Sequence, residues 1–168
     1  MQFGAPCKCL QQSSGSHMLP TIAYVFALIA CALWFGAAFR YFGWQHVAAA
    51  KVLIPRPERS SPIFMTTAAS VRFLGGMNGA FFALSVVLLI GLFAGWPLFT
   101  EPMERAILLL VLGLAHFSQF IFNVPILRNG ERQGETYWYV LSGPMLFIFV
   151  VDALETVISI AAAGLQFF

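Results

Sequence analysis

Along most of the chain the apolar positions neither keep to one face of a helix nor alternate as in a half-buried strand; they are nearly continuous. Four such runs stand out, at residues 20–42, 73–96, 105–127 and 137–165. Each reaches or exceeds the ~20 residues that a hydrocarbon core requires. Nothing alternates with period two over such lengths, so a transmembrane β-barrel is excluded. Backbone groups in lipid must be satisfied internally, which makes the runs helices. The expected fold is all-α, with four transmembrane helices in an up-down antiparallel bundle and a single domain over residues 18–168.

The breaks between the runs fit this pattern. "IPRPERSSP" (residues 54–62) interrupts any helix, and its Ser61-Pro62 pair reads as an N-cap followed by a first-turn proline. The second helix is therefore expected to begin near Pro62 and to project from the membrane before Arg72. "GWPLFTEPMER" separates the second and third runs, and "RNGERQGE" joins the third and fourth with Asn129-Gly130 as its turn. Pro144 is expected to kink the fourth helix after Gly143. "WQHVAAAKVL" reads as an interfacial segment, with His46 on the surface. "GGMNG" (residues 75–79) supplies small residues for close helix contact. It is not a phosphate loop, since no strand precedes it and no Lys-Ser/Thr follows.

Composition narrows the class. Hydrophobic residues make up 60% of the chain and charged ones 10%, and mean hydropathy is +0.82. Too little charge is present to cover a soluble domain, so the chain reads as an integral, multi-pass membrane protein. The net charge of +2 comes with no basic arm and no aromatic–basic alternation. Nucleic acid is not an expected partner. Residues 1–17 contain "SSGSHM", which resembles an expression-vector scar ahead of Met18, and are read as a tag or linker. Cys7 and Cys9 fall there, as a "CKC" pair that would otherwise suit lipidation or a soft metal. Cys31 stands alone in an apolar run and reads as packing.

Basic residues set the expected orientation. Arg40, Lys51, Arg56, Arg59 and Arg72 flank the first loop, Arg128 and Arg132 lie in the third, and the second has only Arg105 beside Glu101 and Glu104. The positive-inside rule places loops one and three in the cytoplasm and both termini outside. Tyr41, Trp44, Tyr137, Trp138 and Tyr139 cluster at the inner interface, and Trp96 marks the outer one.

Each greasy helix carries one polar or small stripe. His116, Gln119 and Asn123 fall within an arc of about 60° on the third. Asp152, Glu155, Thr156 and Ser159 share about 100° of the fourth. Asn78 and Ser85 lie on one stripe of the second, and Tyr24 and Cys31 on one of the first. Depth along the helices sorts them into two layers. The midplane layer holds His116, Asp152 and Glu155, with Ser85 and Cys31 at similar depth. The inner layer holds Asn78 and Asn123, which are expected to meet, with Gln119.

A central Asp costs about 2.5–3.5 kcal/mol on insertion scales. Interhelical hydrogen bonds return only about 0.6 kcal/mol on average. Simple helix glue therefore accounts for the neutral amides better than for the ionisable set. His116, Asp152 and Glu155 are the candidate catalytic residues, with His116 expected to face Asp152 or Glu155. Asn78, Gln119, Asn123, Ser85 and Thr156 are candidate ligand-binding residues.

Three functions fit this pattern. The first is binding of a small or lipophilic ligand in the bundle, with acid–base chemistry if the two carboxyl pKa values separate. The second is a small proton-coupled carrier, and the third a non-catalytic accessory subunit. No internal repeat supports a transporter, though a homo-oligomer would supply a missing pathway. No spacing names a cofactor, and no metal ligands are expected. A zinc motif is absent, a second intramembrane His for haem is lacking, and only half of a di-iron ligand set is present. The general format is similar to four-helix membrane enzymes of the sterol-isomerase group and of the eicosanoid and glutathione group. No motif matches either family residue by residue, so the resemblance implies architecture only.

Overall fold

The computed structural model describes residues 18–168; the reading of residues 1–17, with Cys7 and Cys9, lies outside the described residues. Four helices are long and apolar enough to cross a membrane. Helix α1 (Met18–Ala38) runs on through a π-helical stretch, Phe39–Trp44, before the short α2 (His46–Leu53). A 3₁₀ turn (Arg56–Ser60) leads into α3 (Phe64–Phe93). Helix α4 (Pro102–Ile121) continues into α5 (Val124–Arg128). A two-residue ladder pairs β1 (Arg132–Gln133) with β2 (Thr136–Tyr137), and α6 (Gly143–Leu165) closes the chain. The all-α bundle expected from the apolar runs is the observed architecture.

The boundaries differ from the expected ones where turn chemistry decides them. Helix α3 begins at Phe64, not Pro62, and has no side-chain cap. Ser61 serves the turn instead, its hydroxyl accepting from Ile63 N–H at 3.4 Å. At its other end α3 stops at Phe93. Gly95 adopts φ +69°, and Trp96 N–H reaches back to Gly91 O at 2.8 Å. That six-to-one bond with a left-handed glycine is a Schellman stop, and it leaves Trp96 outside the helix. Pro144 kinks nothing, because α6 starts at Gly143 and the proline occupies the first turn, where its missing N–H costs no bond. Tyr137, Trp138 and Tyr139 consequently precede α6 instead of belonging to it.

Packing is pairwise around α1. Helix α4 lies along α6, and α1 lies along α3 and α6, whereas α3 and α4 share no extended interface. Glycines permit the tightest approaches, as "GGMNG" suggested. A Cβ on Gly75 would sit 2.3 Å from Gly43 N, inside the π stretch, and one on Gly79 2.8 Å from the Phe39 ring. The wide π turn, seen in the Gln45 N–H to Arg40 O bond of 3.2 Å, exposes Gly43 backbone to α3. On the other side, a Cβ on Gly113 of α4 would meet Ser159 Cβ of α6 at 3.2 Å. His46 is half-buried, with Nδ1 unpaired among the described residues.

At one end of the bundle Gln166 Nε2 donates to Pro20 O at 3.0 Å, and Arg105 Nη1 donates to Thr21 Oγ1 at 3.4 Å. These bonds tie the ends of α6 and α4 to the start of α1. The interior between them is mostly small and aliphatic, with Ala27, Leu28, Leu109 and Leu112 buried against Leu88 of α3 and Ala162 of α6.

Candidate functional site

Three helices converge one layer below that core. From α4 comes His116, fully buried. From α6 come Asp152 and Glu155, one turn apart, at 1% and 7% exposure. The expected contact is present: His116 Nδ1 lies 3.1 Å from Asp152 Oδ1. It forms where Gly113, one turn before His116, lets α4 and α6 close on each other.

Helix α1 completes the cluster; its Cys31 was expected at this depth but read as packing, and Trp34 and Phe35 were not singled out. Trp34 Nε1 donates to Asp152 Oδ1 at 2.9 Å. Cys31 Sγ stands 3.7 Å from His116 Nε2, 3.9 Å from Glu155 Oε2 and 3.8 Å from Ser159 Oγ. Phe35 stacks on the imidazole, with centroids 4.4 Å apart and planes 19° from parallel. Trp34 and Phe35 follow Cys31 by three and four residues, which puts both beside it on one helical face. That spacing was a readable signal, but an apolar run of cysteine and aromatics is the ordinary composition of packing.

The arrangement orients the imidazole. Asp152 Oδ1 accepts from Nδ1–H, which leaves Nε2 bare and aimed at the thiol. Asp152 Oδ2 is buried with no hydrogen-bond partner among the described residues. A thiol, an imidazole and a carboxylate therefore stand in sequence as Cys31, His116 and Asp152. Glu155 adds a fourth ionisable group against the same sulfur.

The neutral candidates behave differently. Asn78 Nδ2 donates to Leu74 O at 2.8 Å, and Asn123 Nδ2 to Gln119 O at 2.8 Å. The Ser85 hydroxyl donates to Phe81 O at 2.9 Å, and the Thr156 hydroxyl to Asp152 O at 2.7 Å. Each bonds the carbonyl four residues back on its own helix, the partner always within reach in lipid. The expected meeting of Asn78 and Asn123 does not occur, because α3 and α4 are not packed neighbours. Gln119 is half-buried and joins the pattern through its backbone carbonyl. Only Thr156 touches a member of the cluster, through Asp152 backbone.

A lipid-side groove reaches this cluster. A hollow of about 400 Å³ between α1 and α6 is walled by Phe26, Ile29, Leu33, Trp34, Phe147 and Val151, with Glu155 as its ionisable wall residue. A second hollow of about 300 Å³, nearer Phe42, shares Trp34 and Phe147 as wall residues. Trp34 thus lines the groove with its ring while its N–H holds Asp152 behind it. Compared with protein-family models, curated proteins and solved structures, the chain matches none of them.

Proposed function

We propose that the protein takes a lipophilic ligand from the bilayer into the α1–α6 groove and presents its polar end to acid–base groups inside the bundle. The observation that carries this reading is that an otherwise apolar groove meets Glu155. The residues from Phe26 to Phe42 span about 24 Å of helix at 1.5 Å per residue, the reach of an extended acyl or prenyl chain. Pockets of a few hundred Å³, apolar with a few placed polar groups, are typical small-molecule sites. Glu155 would receive the ligand's hydroxyl, amine or acid group. His116, set by Asp152 and Trp34, would move a proton there.

We also propose, from the positive-inside rule, that both termini lie outside the cytoplasm. Of the basic residues between 18 and 168, Arg105 alone lies at the end of the bundle where α1 begins. The opposite end holds the rest, and a cavity of about 680 Å³ there is lined by Lys51, Arg56, Arg59 and Trp138.

The test uses membranes from cells making the full chain and a palmitate-length fatty acid carrying a diazirine and an alkyne. Irradiation should concentrate adducts on groove-facing peptides of α1 and α6. Leu33→Trp, which fills the groove, should reduce that labelling at least fivefold while leaving adducts on α3 unchanged. Labelling spread evenly over every lipid-facing helix, and indifferent to Leu33→Trp, would overturn the reading.

A further inference from the structure

We propose that Cys31 Sγ, His116 Nε2 and Glu155 Oε2 form a three-ligand site for a thiophilic divalent cation of the zinc class, with Asp152 holding His116 from behind. The site lies at the inner end of the groove and rests on the reading of that cluster as functional. Its three donor atoms all fall within 4.8 Å of one another, and all three residues are buried.

Distances favour coordination. Zinc bonds sulfur at about 2.3 Å and nitrogen or oxygen at about 2.0–2.2 Å, so a tetrahedral edge from sulfur to either is about 3.5 Å. The Cys31 edges are 3.7 Å to His116 and 3.9 Å to Glu155, a few tenths longer. The donor atoms of His116 and Glu155 lie within 4.8 Å of each other, against about 3.3 Å for a tetrahedral N–O edge, so seating an ion draws these two side chains together.

The donor chemistry agrees. One thiolate, one imidazole and one carboxylate is a mixture that a borderline cation accepts, whereas magnesium and calcium prefer oxygen alone. The Cys31 thiol donates to Glu155 Oε2 at 3.9 Å, and a cation that displaces this proton leaves a thiolate beside a carboxylate. A divalent cation between them cancels both charges.

The surroundings supply what metal-binding histidines ordinarily have. A histidine ligand usually gives its other N–H to a carboxylate, which fixes ring and tautomer. His116 does so to Asp152, and Trp34 anchors that carboxylate in turn. Three protein ligands leave a fourth position, the format of sites that act on a substrate instead of bracing a fold. Bound there, the cation would polarise an oxygen of a ligand whose chain lies in the groove.

Cobalt(II) is the probe. The full chain is purified in detergent with Cys7→Ser and Cys9→Ser, so that residues 1–17 offer no thiol, then stripped with chelator and titrated with cobalt. The expected result is one cobalt per chain, tetrahedral visible bands and a near-ultraviolet thiolate-to-cobalt band. Cys31→Ser should abolish the thiolate band, and Glu155→Gln should weaken binding at least tenfold. Asp152→Asn should weaken it about 10–100-fold, as loss of an outer partner does. Thr67→Ala, which removes an exposed hydroxyl-to-Ile63 O bond of α3, should change nothing. Cys31→Ser alters one atom, so it keeps the test decisive if a larger change disturbs folding. Less than a tenth of a cobalt per chain, or equal binding by Cys31→Ser with no thiolate band in the parent, overturns the proposal. Fatty-acid labelling is performed on the stripped protein, so the two readings fail separately. Labelled grooves without cobalt binding remove the metal alone, and cobalt binding without groove labelling removes the lipophilic ligand alone.

Discussion

At the scale of single residues, the contrast between His116 and Asn123 carries the most information. Both sit on one stripe of one helix, yet Asn123 bonds its own helix and His116 bonds another. A neutral amide is satisfied by the carbonyl one turn back. An imidazole facing two carboxyl groups is not, and the structure gathers partners for it from α1 and α6. Replacing His116 with Leu leaves the Asp152 carboxyl with the Trp34 donor as its one partner among the described residues. Breaking a buried pair commonly costs about 3–5 kcal/mol, and the loss here should be smaller because the carboxyl can take up a proton. Adding Asp152→Leu and Glu155→Leu removes the stranded groups. The triple variant should therefore melt at or above the parent's temperature while the single variant melts below it, and both should lose groove labelling. Thermal unfolding and labelling on the same preparations check this. A triple variant that labels fully would end the claim that the cluster serves the ligand.

At the scale of elements, glycine positions decide how the helices meet. Gly75 and Gly76 are adjacent in α3, but a Cβ at Gly75 would strike Gly43 backbone, whereas one at Gly76 meets nothing within 4 Å. Gly75→Ala should destabilise by about 1–3 kcal/mol, the usual cost of overpacking. Gly76→Ala should be neutral or stabilise by up to about 1 kcal/mol through helix propensity. Denaturant titrations of both variants in one detergent compare them directly. Equal effects would mean that α1 and α3 do not approach through Gly43 and Gly75. Element ends follow similarly local rules. The Gly95 stop of α3 and the first-turn position of Pro144 move two boundaries by several residues from where hydropathy alone puts them.

For the molecule as a whole, the four spans make an integral multi-pass membrane protein. Basic residues crowd the end formed by the C-terminal end of α1, α2 and the β1–β2 hairpin. A phosphatase fused after Phe168, active only outside the cytoplasm, should be active, and a fluorescent protein that matures only inside should stay dark. The reverse pair of results would invert the bundle and place the Lys51–Arg56–Arg59 cavity outside.

The sequence by itself determined the number of spans, their helical state and the presence of costly ionisable groups in the middle of two of them. Those features are local: about 20 apolar residues in lipid permit one backbone solution. It also set His116 against the face that carries Asp152 and Glu155, since a short loop makes α4 and α6 neighbours and one turn of helix fixes each depth; which of the two carboxyl groups takes Nδ1 was decided by packing. Which helices fail to touch was decided only in three dimensions. Asn78 and Asn123 share a depth, but α3 packs on α1 and α4 on α6, so matching depth brought no contact. Tertiary structure likewise decided that Cys31 and Trp34 belong to the site. Their sequence distance from His116 and Asp152 exceeds 80 residues, and no spacing rule links donors from separate helices. Only the close approach of backbones at small residues such as Gly113 sets α1, α4 and α6 around one point.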